Sequence, residues 1–181
     1  MSDDSWRAAA GTLHVVPAAV RPDLLAEAVR TSGVDLTSFG VAEINPAQAD
    51  TAGFCATYGV DLAASANCVV VGGKRAGEQR VAACLVLATT RADVNGLVKR
   101  TLDVRSASFL AMDEAVERTG MEFGGITPIG LPTGWRLLID AAVVAAAAVV
   151  VGSGLRRSKI VVSGAVLAAL PGAEVMEGLG R

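Results

Sequence analysis

The residues best suited to chemistry in this chain are two glycine-rich turns and the acid between them. Met121-Glu122-Phe123-Gly124-Gly125-Ile126-Thr127-Pro128-Ile129-Gly130-Leu131-Pro132 gathers five Gly and Pro residues in twelve positions. Glycine lets backbone approach a ligand closely, and proline stiffens the loop. Gly124, Gly125, Ile126, Thr127 and Pro128 are therefore candidates to face a ligand, with backbone N–H groups as fixed donors to a carbonyl oxygen. The apolar run Leu137-Leu138-Ile139 then ends in Asp140. A carboxylate beside a buried run must be hydrogen-bonded, paired or facing a cavity. Asp140 can hold the backbone of a neighbouring loop, or it can meet a substrate amine or a water. A second turn comes at Gly152-Ser153-Gly154, and then the basic cluster Arg156-Arg157-Ser158-Lys159. That cluster suits either a phosphate backbone or a solvated turn. Two glycine turns flanking a strand-borne acid predict a pocket between them.

Other chemistries have little to stand on. His14 is the sole histidine, and a nucleophilic triad needs a base oriented beside its nucleophile. Gly152-Ser153-Gly154 lacks the third glycine of a dinucleotide fingerprint, and the next segment, residues 159–162, is strand-like, not a helix opening. Cys55, Cys68 and Cys84 are an odd count with no CxxC. Cys68 and Cys84 sit inside apolar runs and suit buried thiols in a reducing compartment, and the three leave no zinc ligand set. No metal and no cofactor is implied. Net charge is −2, so any nucleic-acid contact must be local. The start, Met1-Ser2-Asp3-Asp4, has no basic n-region. The apolar run 141–151 falls short of the roughly 20 residues a spanning helix needs. A soluble, cytoplasmic protein without membrane contact is expected.

The elements that must position these residues are set by periodicity. At 181 residues, with 52% hydrophobic side chains and few aromatics, one domain with an Ala, Val and Leu core is expected over residues 20–181. Residues 1–19 are expected as a loose arm anchored by Trp6 and Leu13. Pro22 opens a predicted helix with Leu24, Leu25, Ala28 and Val29 on one face, ended by Ser32-Gly33. A strand is predicted at 41–44, and a helix capped by Asp50-Thr51 and closed by Gly59. Residues 68–71 and 81–88 predict a hairpin around a polar turn at 72–79. Asp93 caps a short helix whose apolar spacing overrides the hairpin signal of Asn95-Gly96. A further helix is predicted at 112–118, strands at 136–144, 149–151 and 159–162, and a terminal helix at 165–170 capped by Ser163. Helices and strands mix irregularly, which favours α+β.

In their order, Thr119-Gly120, Gly124-Gly125-Ile126-Thr127-Pro128-Ile129-Gly130, Leu138-Ile139-Asp140 and Val151-Gly152-Ser153-Gly154 resemble the YbaK/EbsC family of aminoacyl-tRNA deacylases and prolyl-tRNA synthetase editing domains. The resemblance covers roughly residues 22–179 and is strongest over 113–159. It implies an α+β domain around a mixed, partly closed, barrel-like sheet surrounded by helices. It also implies hydrolysis of the ester that joins a mischarged small amino acid to the tRNA 3′ end. Water and the substrate's own ribose hydroxyl do the work there, without a protein nucleophile. By this resemblance Gly124, Gly125 and Pro128 carry over from the loop whose amides hold the carbonyl, Asp140 matches the family's acid, and Gly152, Ser153 and Gly154 match the second turn. Ile126, Thr127 and Arg156 are further candidates to bind substrate, Arg156 with Arg157 at the tRNA backbone. The implied partners are the tRNA acceptor end and an aminoacyl-tRNA synthetase.

Asn67 departs from the family. Members usually carry a lysine just before the first core strand, and here that stretch is Ala66-Asn67-Cys68-Val69-Val70. Lysine would supply a point charge, whereas asparagine supplies a neutral donor and acceptor. A charge-assisted bond is roughly twice as strong as a neutral one. The expectation is an editing deacylase in which Asn67 contacts the 3′ adenosine or the carbonyl. The alternative is an impaired binding module of the same fold that recognises an aminoacyl-tRNA end, a small ligand or a protein partner. Oligomeric state is open.

Overall fold

The structure is a computed structural model describing residues 3–181, apart from the side chains of residues 3–5 and 7. Its α+β architecture is built on two sheets. Strands β1 (Val16–Pro17), β2 (Gly40–Glu43), β7 (Val149–Gly152) and β8 (Ser158–Val162) form an antiparallel sheet in the order β1-β2-β8-β7. Strands β3 (Ala66–Arg75), β4 (Glu78–Leu87), β5 (Ala107–Phe109), β6 (Arg136–Asp140) and β9 (Ala173–Met176) form the other, ordered β5-β3-β4-β6-β9. Its first three strands are antiparallel, and β4, β6 and β9 run parallel.

Side chains alternate across each strand, so each sheet feeds clusters on both its faces. Val41, Val151, Ile160 and Val162 of one sheet meet Ala83, Leu85, Leu137 and Ile139 of the other in the main core. Val150 and Val161 point the opposite way, against Trp6 of α1 (Asp3–Ala10) and Phe54 of α3 (Thr51–Tyr58). Cys84, Val86 and Leu138 pack outward against Val98 and Leu102. The expected closure of the sheet does not occur. The sheets touch at an isolated bridge from Ser65 to Val150 and otherwise face each other. Two of the four edge strands, β1 and β5, are only two and three residues long.

Four expectations change. Residues 1–19, expected as an arm, contain helix α1 with Trp6 buried; Met1 and Ser2 lie outside the described residues. The helix expected from Pro22 splits into a 3-10 turn (Pro22–Leu24) and a single turn α2 (Glu27–Arg30), because Ala26 is extended and its amide donates to the Ser153 carbonyl. The hairpin turn is only Ala76-Gly77, with φ of 51° and 86°, as a two-residue primed turn requires. Gly72 and Gly73 lie inside β3, where a Cβ on Gly73 would come 2.4 Å from the Ser106 carbonyl. The strand expected at 136–144 stops at Asp140, whose side chain caps α6 (Ala141–Ala145). By contrast, Asp50, Asp93 and Ser163 each accept the backbone N–H bonds expected of helix caps. No helix among the described residues is long and apolar enough to cross a membrane.

Candidate active site

The two glycine turns lie directly against each other. The Glu122 amide donates to the Gly154 carbonyl (2.8 Å), and the Gly154 amide donates to the Gly125 carbonyl (2.7 Å). A Cβ on Gly152 would sit 2.3 Å from the Gly125 carbonyl oxygen and 2.6 Å from that of Ile126. On Gly125 it would come 2.8 Å from the Leu155 backbone, and on Gly154 2.3 Å from the Ala26 methyl. These glycines therefore permit backbone-to-backbone contact, and the pocket expected between the turns is filled by the chain itself. Ser153 is fully buried, with its hydroxyl 2.7 Å from that of Ser158, which in turn donates to the Leu24 carbonyl (2.6 Å). Ser153 locks the turn through these internal bonds.

The first turn commits one of its own amides. Gly125 donates to the Glu122 carbonyl (2.9 Å), so the N–H expected to receive an oxyanion is already committed. Gly124, Ile126 and Thr127 make no N–H bond to protein among the described residues. Gly124 is exposed and Ile126 half-buried, while Thr127 and Pro128 are buried. The Thr127 hydroxyl is also buried without a partner.

Arg156 ties this loop to the segment before α3. Its guanidinium donates to the carbonyls of Phe123 and Pro46, both at 3.2 Å. Its amide donates to the Glu122 carboxylate (2.6 Å). Three residues on, Lys159 is only 9% exposed. Its Nζ donates to the Ala49 carbonyl (3.0 Å) and lies 5.2 Å from the centre of the Phe54 ring. Burial lowers its pKa; nearby Arg156 adds to that, and Cys55 and Asp50 oppose it. No carboxylate lies within ion-pair distance of Lys159 among the described residues. At the start of α3 the Thr51 hydroxyl donates to Asn67 Oδ1 (2.7 Å). That leaves the Asn67 amide nitrogen as an uncommitted donor. Arg156, Lys159 and, through Thr51, Asn67 thus each contact the 46–51 segment, and Arg156 also reaches the Phe123 carbonyl beside Gly124.

Asp140 is held elsewhere. One carboxylate oxygen accepts from the Ala142 amide (2.9 Å) and the other from the Gly180 amide (2.6 Å). Holding the backbone of neighbouring loops accounts for both oxygens of this acid. The sequence singles out Lys159 only as a member of the basic cluster 156–159, and the structure buries it instead. Its signal was a lysine inside a strand whose neighbours Ile160, Val161 and Val162 are apolar. No group of three or more His, Cys, Asp or Glu among the described residues is placed to hold a metal ion. A cavity of about 580 Å³ lies at the other end of the glycine-proline loop, lined by Pro128, Gly130, Leu131 and Pro132 with Thr31 and Leu170. It contains none of the polar groups above.

Against this geometry, the sequence profile of the aminoacyl-tRNA editing domain matches residues 45–170. No curated protein matches the chain. Among solved structures, one described as a candidate trans-editing enzyme for prolyl tRNA synthetase superposes with a TM-score of 0.71 at 23% identity. It covers 92% of this chain and 98% of its own. A hypothetical protein gives 0.70 at 22% identity, covering 84% and 96%. At these identities the likenesses establish the fold.

Proposed function

Because the chain belongs to the aminoacyl-tRNA editing domain family, we propose that it is a deacylase that removes a small, mischarged amino acid from the tRNA 3′ end. The editing unit would span residues 20–181 and act in the cytoplasm. In the reaction, water adds to the ester carbonyl carbon. The bond from that carbon to the ribose oxygen breaks, the ribose oxygen takes a proton, and the free amino acid leaves. The demand on the protein is to stabilise negative charge on the carbonyl oxygen and to hold the acceptor end.

The observation that carries the reading is the glycine turn, in which the Gly124 and Ile126 amides are uncommitted and Gly124 lies beside Arg156. Preorganised donors of this kind cost no reorganisation at the moment of reaction, and loss of one is worth about 10²–10³ in kcat. Asn67 contributes its amide nitrogen, fixed by Thr51. Lys159 and Arg156 supply positive potential from behind. Arg156 is the group suited to a terminal phosphate. Asp140 supports the site through the corner between β6 and α6.

The test is deacylation of a panel of mischarged tRNAs by the purified protein and by Asn67→Lys. Turnover of one tRNA by the unaltered protein is the expected result. The neutral Asn67 favours a second reading, a recognition module on the editing fold. Binding of acylated tRNA without turnover, with hydrolysis gained in Asn67→Lys, would establish that reading and overturn the first.

A further inference from the structure

A second concave site lies at the far end of the β3–β4 hairpin. It is a cavity of about 470 Å³, lined by the side chains of Gln79, Arg80, Arg118, Trp135 and Arg136 and closed by the Thr133-Gly134 turn. The volume falls in the range of small-ligand sites. Three guanidinium groups reach the lining, and no carboxylate does. The acids that hold these arginines stand behind them. Arg80 pairs with Asp103 (3.0 Å), Arg118 with Glu114 (3.0 Å), and Arg136 with Glu174. Asp103 is also shared with Arg75 (3.3 Å). The cluster therefore sets four guanidinium groups against three carboxylates.

The pairing also orients the forks. Arg118 uses Nη1 for Gln79 and Glu114, and its guanidinium lies 4.9 Å from the centre of the Trp135 ring. Arg80 uses Nη1 for the Leu102 and Asp103 carbonyls and the Asp103 carboxylate. Nε and Nη2 of both side chains make no hydrogen bond among the described residues, whereas Arg136 is fully engaged by Glu174 and the Thr101 carbonyl. Two preset forks with free N–H pairs on a cavity wall match a phosphate group, whose oxygens accept such pairs bidentately.

We propose that this cavity binds a phosphate group, with Arg80 and Arg118 as its ligands and Arg136 as the fixed cation of the floor. The phosphate belongs either to a small phosphorylated molecule or to an RNA backbone. The test is calorimetric titration of the full chain with pyrophosphate at constant ionic strength, with sodium chloride as the control salt. Saturable binding is expected. Arg80→Met and Arg118→Met should each weaken it at least tenfold while thermal unfolding stays cooperative. Should either variant fail to fold, Arg118→Lys keeps charge and bulk but loses the fork, and it too should weaken binding. A short single-stranded RNA that displaces pyrophosphate would identify backbone phosphate as the source. Failure of the RNA to displace it would identify a small phosphorylated ligand. Absence of saturable pyrophosphate binding, or affinity unchanged in all three variants, would overturn the proposal.

Discussion

Gly152→Ala tests the contact that builds the site. Gly152 does not adopt a positive φ, so alanine is conformationally acceptable there and only space opposes it. The added methyl would stand 2.3 Å from the Gly125 carbonyl oxygen and 2.6 Å from that of Ile126. That is roughly 1 Å inside ordinary contact, and both obstacles are backbone. Overpacking of this kind costs about 1–3 kcal/mol. Separating the turns also weakens the Gly154–Gly125 hydrogen bond, worth about 0.5–1.5 kcal/mol. The sum, about 1.5–4.5 kcal/mol, corresponds to roughly 3–18 °C in Tm for a domain of this size. Displacing Gly124 and Ile126 by such a distance is expected to lower kcat/KM about 100-fold. Thermal unfolding followed by circular dichroism gives the first number. Deacylation below both midpoints gives the second. Gly33→Ala is the control: its φ is +81° and nothing lies within 4 Å of the added methyl, so it reports backbone strain alone. A Gly152→Ala protein with wild-type Tm and wild-type kcat/KM would refute the fused-turn account.

Asp140→Ala removes the acceptor of the Ala142 and Gly180 amides. A loss of about 1–3 kcal/mol is expected, with deacylation retained below the lowered Tm. Abolished turnover in a folded variant would restore a substrate-contacting role. Burial lowers the Lys159 pKa from 10.5, so the folded state holds its proton less tightly than the unfolded state does. Stability from this group is therefore reduced below the folded pKa and recovers as pH rises towards about 10.5. Lys159→Met should flatten that recovery in thermal melts taken between neutral and alkaline pH, and parallel curves for both proteins would count against it. Burial also pushes the Cys84 thiol up to about 12 and raises Cys68 and Cys55. A thiol reagent near pH 8 should label the native protein slowly and all three cysteines once it is denatured; fast native labelling would contradict that burial.

Local chemistry in the sequence determined the parts whose causes are local. Asp50, Asp93 and Ser163 cap helices because each offers an oxygen to backbone N–H groups a few residues ahead. The hairpin strands, the mixed α+β class and the order of glycine turns around Asp140 were legible in the same way, and that order carried the family. Tertiary structure decided the rest, because contacts across the fold set those outcomes. Ala26 leaves the helix expected around it because the Ser153 carbonyl claims its amide. Asp140 looked equally suited to a substrate until Gly180, forty residues away, took its second oxygen. Gly152 could not be known to abut the Gly125 and Ile126 carbonyls without the fold that presses the two turns together. Lys159 joined the candidate site only when β8 set it beneath Phe54 and against the Ala49 carbonyl. The spacing of residue types records which groups are present. Which N–H, oxygen or ammonium stays unpaired depends on partners far along the chain, and only the packed structure brings those together.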